Sequence, residues 1–161
     1  MRVLLNATAP SLTVKEPIRA RLISDAPRPA DNHGDVTQAL EHRPEAAAAA
    51  RQVAGAALRD WQIAAEDVDA VLLVVSELVT NAVEHAQPPL ALHLHRAHTG
   101  SRVWVGVSDG GTAQHDGAWT TSCADDEHGR GITIISALAE AHGMSTHPGG
   151  TTHWARLHAA A

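Results

Sequence analysis

Glu77, Asn81 and His85 recur every four residues. On a helix each is rotated about 40° from the last, so the three form one slanted polar line. A carboxylate and an amide oxygen on such an edge suit divalent-cation chemistry: the amide carbonyl is a hard ligand for Mg²⁺, and the carboxylate can act as a base toward a hydroxyl or water. The spacing alone is more often that of an ordinary amphipathic helix boundary. Asp109 stands directly before Gly110 and Gly111, where the backbone can approach a ligand closely or take a positive φ. An aspartate acceptor there takes a hydrogen bond from the exocyclic amine of adenine and repels the oxygen of guanine. By itself the same trio also makes a plain Asp-Gly turn. Gly129-Arg130-Gly131 precedes an apolar periodic stretch and is expected to open a helix, offering bare backbone N–H groups to phosphate oxygens. Alone it reads equally as a loop end.

These residues need elements to hold them. From residue 66 to 86 the apolar positions Val68, Val71, Leu72, Val75, Leu78, Val79, Ala82, Val83 and Ala86 follow a period of about 3.6, which predicts the helix carrying Glu77 and Asn81. Pro88 and Pro89 stop it. Upstream, residues 36–42 read as a strand, and the alanine-rich run from Pro44 to Trp61 reads as a helix, completing a helical hairpin. Residues 90–95 and 102–108 alternate and are parted by Thr99-Gly100, the pattern of a β-hairpin whose second strand ends on Asp109. A polar loop over residues 110–128 is too long for a simple connection. Residues 131–142 are expected to be a short amphipathic helix stopped by Gly143. Strands over 144–147 and 152–158 flank a turn at Pro148-Gly149-Gly150. Helices before and between antiparallel strand pairs give an α+β two-layer sandwich, with a mixed, mostly antiparallel sheet covered on one face by helices. The alternation of a Rossmann fold is absent.

Composition narrows the function. Lys and Arg total 12 against 18 Asp and Glu, a formal charge of -6, so no basic field draws phosphate backbones. With no Phe, no Tyr and only 4 Trp, aromatic surface for stacking bases is scarce. A nucleic-acid partner is not expected. The single cysteine, Cys123, rules out an internal disulfide and fits a reducing compartment. No stretch approaches the roughly 20 apolar residues of a membrane helix, so a cytoplasmic protein without a membrane partner is expected. His93, His95 and His98 lie on or beside one strand but have no acidic or cysteine partner at fixed spacing, which favours a solvated face over a metal site. Asp125-Asp126-Glu127 reads as a solvated acidic run.

The order of the pieces carries more than any one. Residues 75–86, VSELVTNAVEHA, resemble the N box of GHKL (Bergerat-fold) ATPases in the form seen in RsbW-like and SpoIIAB-like anti-sigma-factor serine kinases. Val107-Ser108-Asp109-Gly110-Gly111 resembles the first glycine box and His128-Gly129-Arg130-Gly131-Ile132 the second. Gly150-Thr151-Thr152-His153-Trp154-Ala155 is similar to the closing Gly-x-Thr-x-Trp-Ala strand. The boxes run in order from residue 75 to 155, and the preceding hairpin extends the likeness to about residue 36. The chain departs from the pattern at Thr112-Ala113-Gln114, where a further glycine and often a proline are usual, and at Thr151, where a basic residue is usual.

The resemblance implies the Bergerat ATP-binding fold over residues 34–161, behind a loose extension over residues 1–33. It implies ATP and Mg²⁺ as cofactors, with Glu77 as catalytic base and Asn81 holding Mg²⁺ through the ATP phosphates. Asp109 would read adenine, supported by the Thr152 hydroxyl. Gly111 and Arg130 complete the nucleotide-binding set, and the backbones of Gly129 and Gly131 would wrap the phosphates. Residues 112–128 would form the ATP lid. The activity implied is that of an anti-sigma factor and serine kinase that phosphorylates an anti-anti-sigma protein of the STAS type, with a sigma factor as the other partner and a homodimer as one open oligomeric state. The departure after Gly111 keeps an alternative open, a nucleotide-dependent protein-binding regulator with little or no kinase turnover. A sensor histidine kinase fragment fits less well, since His42-Arg43-Pro44 does not resemble a phospho-accepting histidine motif.

Overall fold

The computed structural model describes residues 34–97, 101–112 and 124–160, with residues 124–130 described through their backbone only. The expected extension over residues 1–33, the turn at Thr99-Gly100 and the lid segment 113–123 with Cys123 lie outside the described residues.

The elements run β1 (Asp35–Leu40), α1 (Ala46–Asp60), α2 (Ala65–His85), β2 (Leu90–Arg96), β3 (Arg102–Asp109), α3 (Ala124–Leu138), β4 (Ala141–His147) and β5 (Gly150–His158). The strands form one five-stranded sheet in the order β1-β2-β3-β5-β4, and every described pair is antiparallel. Side chains alternate across a strand. Leu90, Leu92 and Leu94 of β2, Val103, Val105 and Val107 of β3, and Ala155 and Leu157 of β5 therefore share one face. All are buried in a single core with Ala50, Ala54 and Leu58 of α1 and Val71, Val74, Val75, Leu78 and Val79 of α2. The helices thus cover one face of the sheet, giving the α+β two-layer sandwich. Helix α2 crosses β3 and β5, α1 lies against α2 and β1, and α3 packs on α2 and reaches β4.

Two features fix α2, the helix that carries the chemistry. Its first turn holds Glu66 and Asp67, acidic types favoured at the positive helix end. Asp67 Oδ2 also accepts the Ala160 N–H at 2.8 Å, and Ala64 N–H donates to the Ala160 carbonyl at 2.8 Å, so the segment after β5 clasps the start of α2.

The third helix differs from expectation at both ends. It begins at Ala124, placing Asp125-Asp126-Glu127 in its first turn, and ends at Leu138 instead of His142. Residues 140–143 are drawn off by β5. Glu140 N–H donates to the Arg156 carbonyl at 2.8 Å, and His142 and Gly143 pair with Ala155 and Trp154. Gly143 is therefore not a helix stop. A Cβ added there would stand 3.0 Å from Cζ2 of the Trp154 indole, which lies across that position.

Candidate functional site

Asp109 closes β3, whose residues Val103, Val105 and Val107 are anchored in the core, and this carries its carboxylate inward to 3% exposure. Burying a carboxylate is costly unless hydrogen bonds replace its water. Oδ1 accepts the Gly111 N–H at 2.8 Å, a tight return that Gly111 makes possible at φ +92. Oδ2 accepts no hydrogen bond from any described residue, and its nearest charged neighbour is His153 Nε2 at 3.9 Å. The turn is strapped to the end of α2: Gly110 N–H donates to the Gln87 carbonyl at 2.7 Å and Gln87 N–H to the Gly111 carbonyl at 2.9 Å.

Beside Asp109 a cavity of about 470 Å³ opens between α2, α3 and the strands β3, β5 and β4, a volume ordinary for a small-molecule or cofactor site. Asn81, Asp109, Thr151 and His153 are among its polar residues; Leu78, Ile132 and Met144 are among its apolar ones. Ile132 and Met144 are 52% and 63% exposed, a large apolar exposure on a cavity wall that suits a flat, mostly apolar group such as a base.

Helix α2 places Glu77 and Asn81 on adjacent turns, and α3 meets them at Gly131. A Cβ added at Gly131 would stand 3.0 Å from Glu77 Oε2 and 3.3 Å from Asn81 Nδ2, so a larger residue there would push these side-chain ends aside by a few tenths of an ångström. The residues of the N box, the first glycine box and the second are thus brought together. Asn81 lines the cavity and Glu77 does not. His85 also lines it, with Nε2 3.5 Å from Glu84 Oε2.

Two expectations are corrected. Gly129, Arg130 and Gly131 do not open α3; they lie within it, where backbone N–H groups are spent on the helix's own bonds. Thr152 does not face the cavity. Asp109 pairs with Thr151, and Thr152 pairs with Ser108, so the Thr152 hydroxyl emerges on the opposite face of the sheet. There it shares hydrogen bonds with Ser108 Oγ at 2.7 Å and His147 Nε2 at 3.2 Å. Thr151 is the threonine beside Asp109 that lines the cavity. Gly150 makes this approach possible: its φ is +141, and a side chain there would collide with the Asp109 carbonyl. Sequence reasoning missed Thr151, His153, Ile132 and Met144. For Thr151 and His153 the available signal was strand parity counted back from Asp109, which requires the β3–β5 register.

The outer face carries a polar chain of its own. Thr37 Oγ1 shares a hydrogen bond with His93 Nδ1 at 3.2 Å, and His93 Nε2 with Ser108 Oγ at 3.0 Å. Through Thr152 and His147 the chain crosses all five strands. Burial pushes the His93 pKa below the usual imidazole value. His95 on the same face is held by Asp35. Among the described residues no three His, Cys, Asp or Glu side chains converge on a metal position. The Asn81 amide oxygen on the cavity wall does fit a Mg²⁺ that arrives with nucleotide phosphates, since that ion keeps most of its shell as water and phosphate oxygen.

Residues 40–157 match the family described as the histidine kinase-like ATPase domain. The chain belongs to this family. Its N box, both glycine boxes and the closing strand all fall inside the matched segment. A comparison with curated proteins returns no match. Among solved structures, the chain is similar to the crystal structure of the RsbU and RsbW domains of Rv1364c from Mycobacterium tuberculosis, at 20% identity and a TM-score of 0.60. The likeness covers 78% of this chain and 32% of that one, so the chain spans about a third of the length of the solved chain that it matches. It shows that the histidine kinase-like ATPase fold is shared. No helix among the described residues is long and apolar enough to cross a membrane.

Proposed function

We propose that this chain binds ATP in the cavity beside Asp109 and acts as an RsbW-like cytoplasmic regulator. In this reading it is a serine kinase toward an anti-anti-sigma protein of the STAS type, and it holds a sigma factor in its other state. The observation that carries the reading is the Asp109 carboxylate: buried on the cavity wall, satisfied on one oxygen by Gly111, and with no hydrogen bond to its other oxygen from any described residue. An oxygen in that state calls for a donor, and the exocyclic amine of adenine is one. Thr151 stands where its hydroxyl supports the base, the role first given to Thr152. Asn81 is the residue to hold Mg²⁺, which when bound supplies charge neutralisation for phosphoryl transfer. Glu77 is the base that takes the proton of the accepting hydroxyl. The solved neighbour that contains RsbU and RsbW domains favours this branch, and the domain assignment of residues 34–161 rests on the same reading.

Calorimetric titration tests it. Mg²⁺-ATP should bind well above Mg²⁺-GTP, and Asp109→Asn should lose the preference. Equal affinity for the two nucleotides removes Asp109 as the base reader. Labelled ATP incubated with STAS-type proteins encoded nearby tests transfer to a serine. One observation favours a second reading, a nucleotide-dependent binding protein with little turnover: Glu77 faces Gly131 of α3 and not the cavity. Binding without transfer to any partner would establish that alternative.

A further inference from the structure

His153 lies on the helix-side face of β5, opposite Val107 of β3 and Met144 of β4, and is the diagonal neighbour of Asp109, within reach of a long side chain. Its Nε2 is 3.9 Å from Asp109 Oδ2, with side-chain exposures of 46% and 2%. This is the oxygen that the Gly111 N–H leaves open. We propose that His153 sets the affinity of the site by competing, when protonated, with the adenine amine for Oδ2 of Asp109, so that nucleotide and proton bind in opposition.

Among the described residues, a proton on His153 has one carboxylate partner. From β4, His142 shares its Nε2 with Ser136 Oγ at 2.9 Å. From α2, His85 stands by Glu84, Asn81 is uncharged, and Glu77 is turned to Gly131. From α3 the described side chains on the cavity are Ile132 and Ile135, both apolar. Among the described residues, Asp109 is the only carboxylate within ion-pair distance of His153. With one member buried, such a pair is screened far less than a surface pair. A neutral imidazole leaves Oδ2 to the ligand, whereas an imidazolium engages it. Binding is reciprocal, so a nucleotide that claims Oδ2 must weaken the hold on that proton.

The inference rests on Asp109 reading the base, and the test separates the two. Mg²⁺-ADP, which cannot be turned over, is titrated calorimetrically into the wild type, His153→Gln and His142→Gln at about pH 8 and pH 6, which span the range where imidazoles change charge. Mg²⁺-GDP is titrated in parallel. If only the neutral form binds, apparent affinity falls with the competent fraction, by about threefold or more in the wild type and His142→Gln. In His153→Gln the fall shrinks to what the nucleotide's own ionisation contributes. His153→Asn serves should the glutamine variant fail to fold. An ADP preference over GDP with the same pH response in His153→Gln as in the wild type overturns the proposal and leaves the reading of Asp109 intact. Loss of any preference for ADP overturns both.

Discussion

Asn81 and Glu77 share an edge of α2 and both lie against Gly131, yet only Asn81 lines the cavity, and their variants should separate accordingly. Asn81→Ala should weaken Mg²⁺-ATP binding, with transfer falling alongside, because the anchor of the bridging cation is lost. Glu77→Ala should leave affinity nearly intact while transfer to a serine substrate drops by about 10²–10⁴-fold, the worth of a general base. Calorimetry paired with single-turnover transfer decides it, and full transfer by Glu77→Ala would remove Glu77 from catalysis. The two threonines should divide in the same way. Thr151→Val is expected to weaken ATP by about fivefold, the equivalent of one hydrogen bond near 1 kcal/mol. Thr152→Val should spare ATP affinity and instead lower the unfolding midpoint, since its partners are Ser108 and His147. A reversed outcome would mean that β5 is shifted by one residue against β3 in solution.

That pair of threonines marks where sequence stops being enough. Strand identity and facing were legible in β2 and β3 because apolar residues alternate there, and α2 was legible from its unbroken stripe of Val, Leu and Ala. Adjacent Thr151 and Thr152 carry no such contrast, so which of them joins Asp109 depends on a pairing made across the sheet. The C-terminal end of α3 was lost for the same reason. Local periodicity continues past Leu138, but hydrogen bonds to β5 claim residues 140–143, and no local pattern reports them. The outer face of the sheet supplies a pH prediction. Burial lowers the His93 pKa, so the unfolded chain holds that proton more firmly than the fold does. The stability that goes with neutral His93 is therefore complete above the unfolded imidazole value of about 6.5 and is lost as pH falls through and below it. Melting temperatures measured from neutral to mildly acid pH should fall less steeply in His93→Gln than in the wild type. Parallel curves would show that His93 does not contribute.

Across the whole molecule one continuous core joins α1, α2, α3 and the helix-side face of the sheet. Leu58 of α1 is fully buried in it, and Leu58→Ala should cost about 2–5 kcal/mol in urea unfolding. Saturating Mg²⁺-ATP should recover part of that by mass action, about 2.7 kcal/mol at a hundredfold excess over Kd. The bare oxygen of Asp109 then takes on another meaning. In the proposed reading, a buried carboxylate with one oxygen that takes no hydrogen bond from any described residue costs the empty protein free energy, which the bound base offsets. Breeding this chain for heat resistance alone would press toward replacing Asp109 by an apolar residue of similar size, and the hardiest clones of such a library should be the ones that no longer recognise ATP.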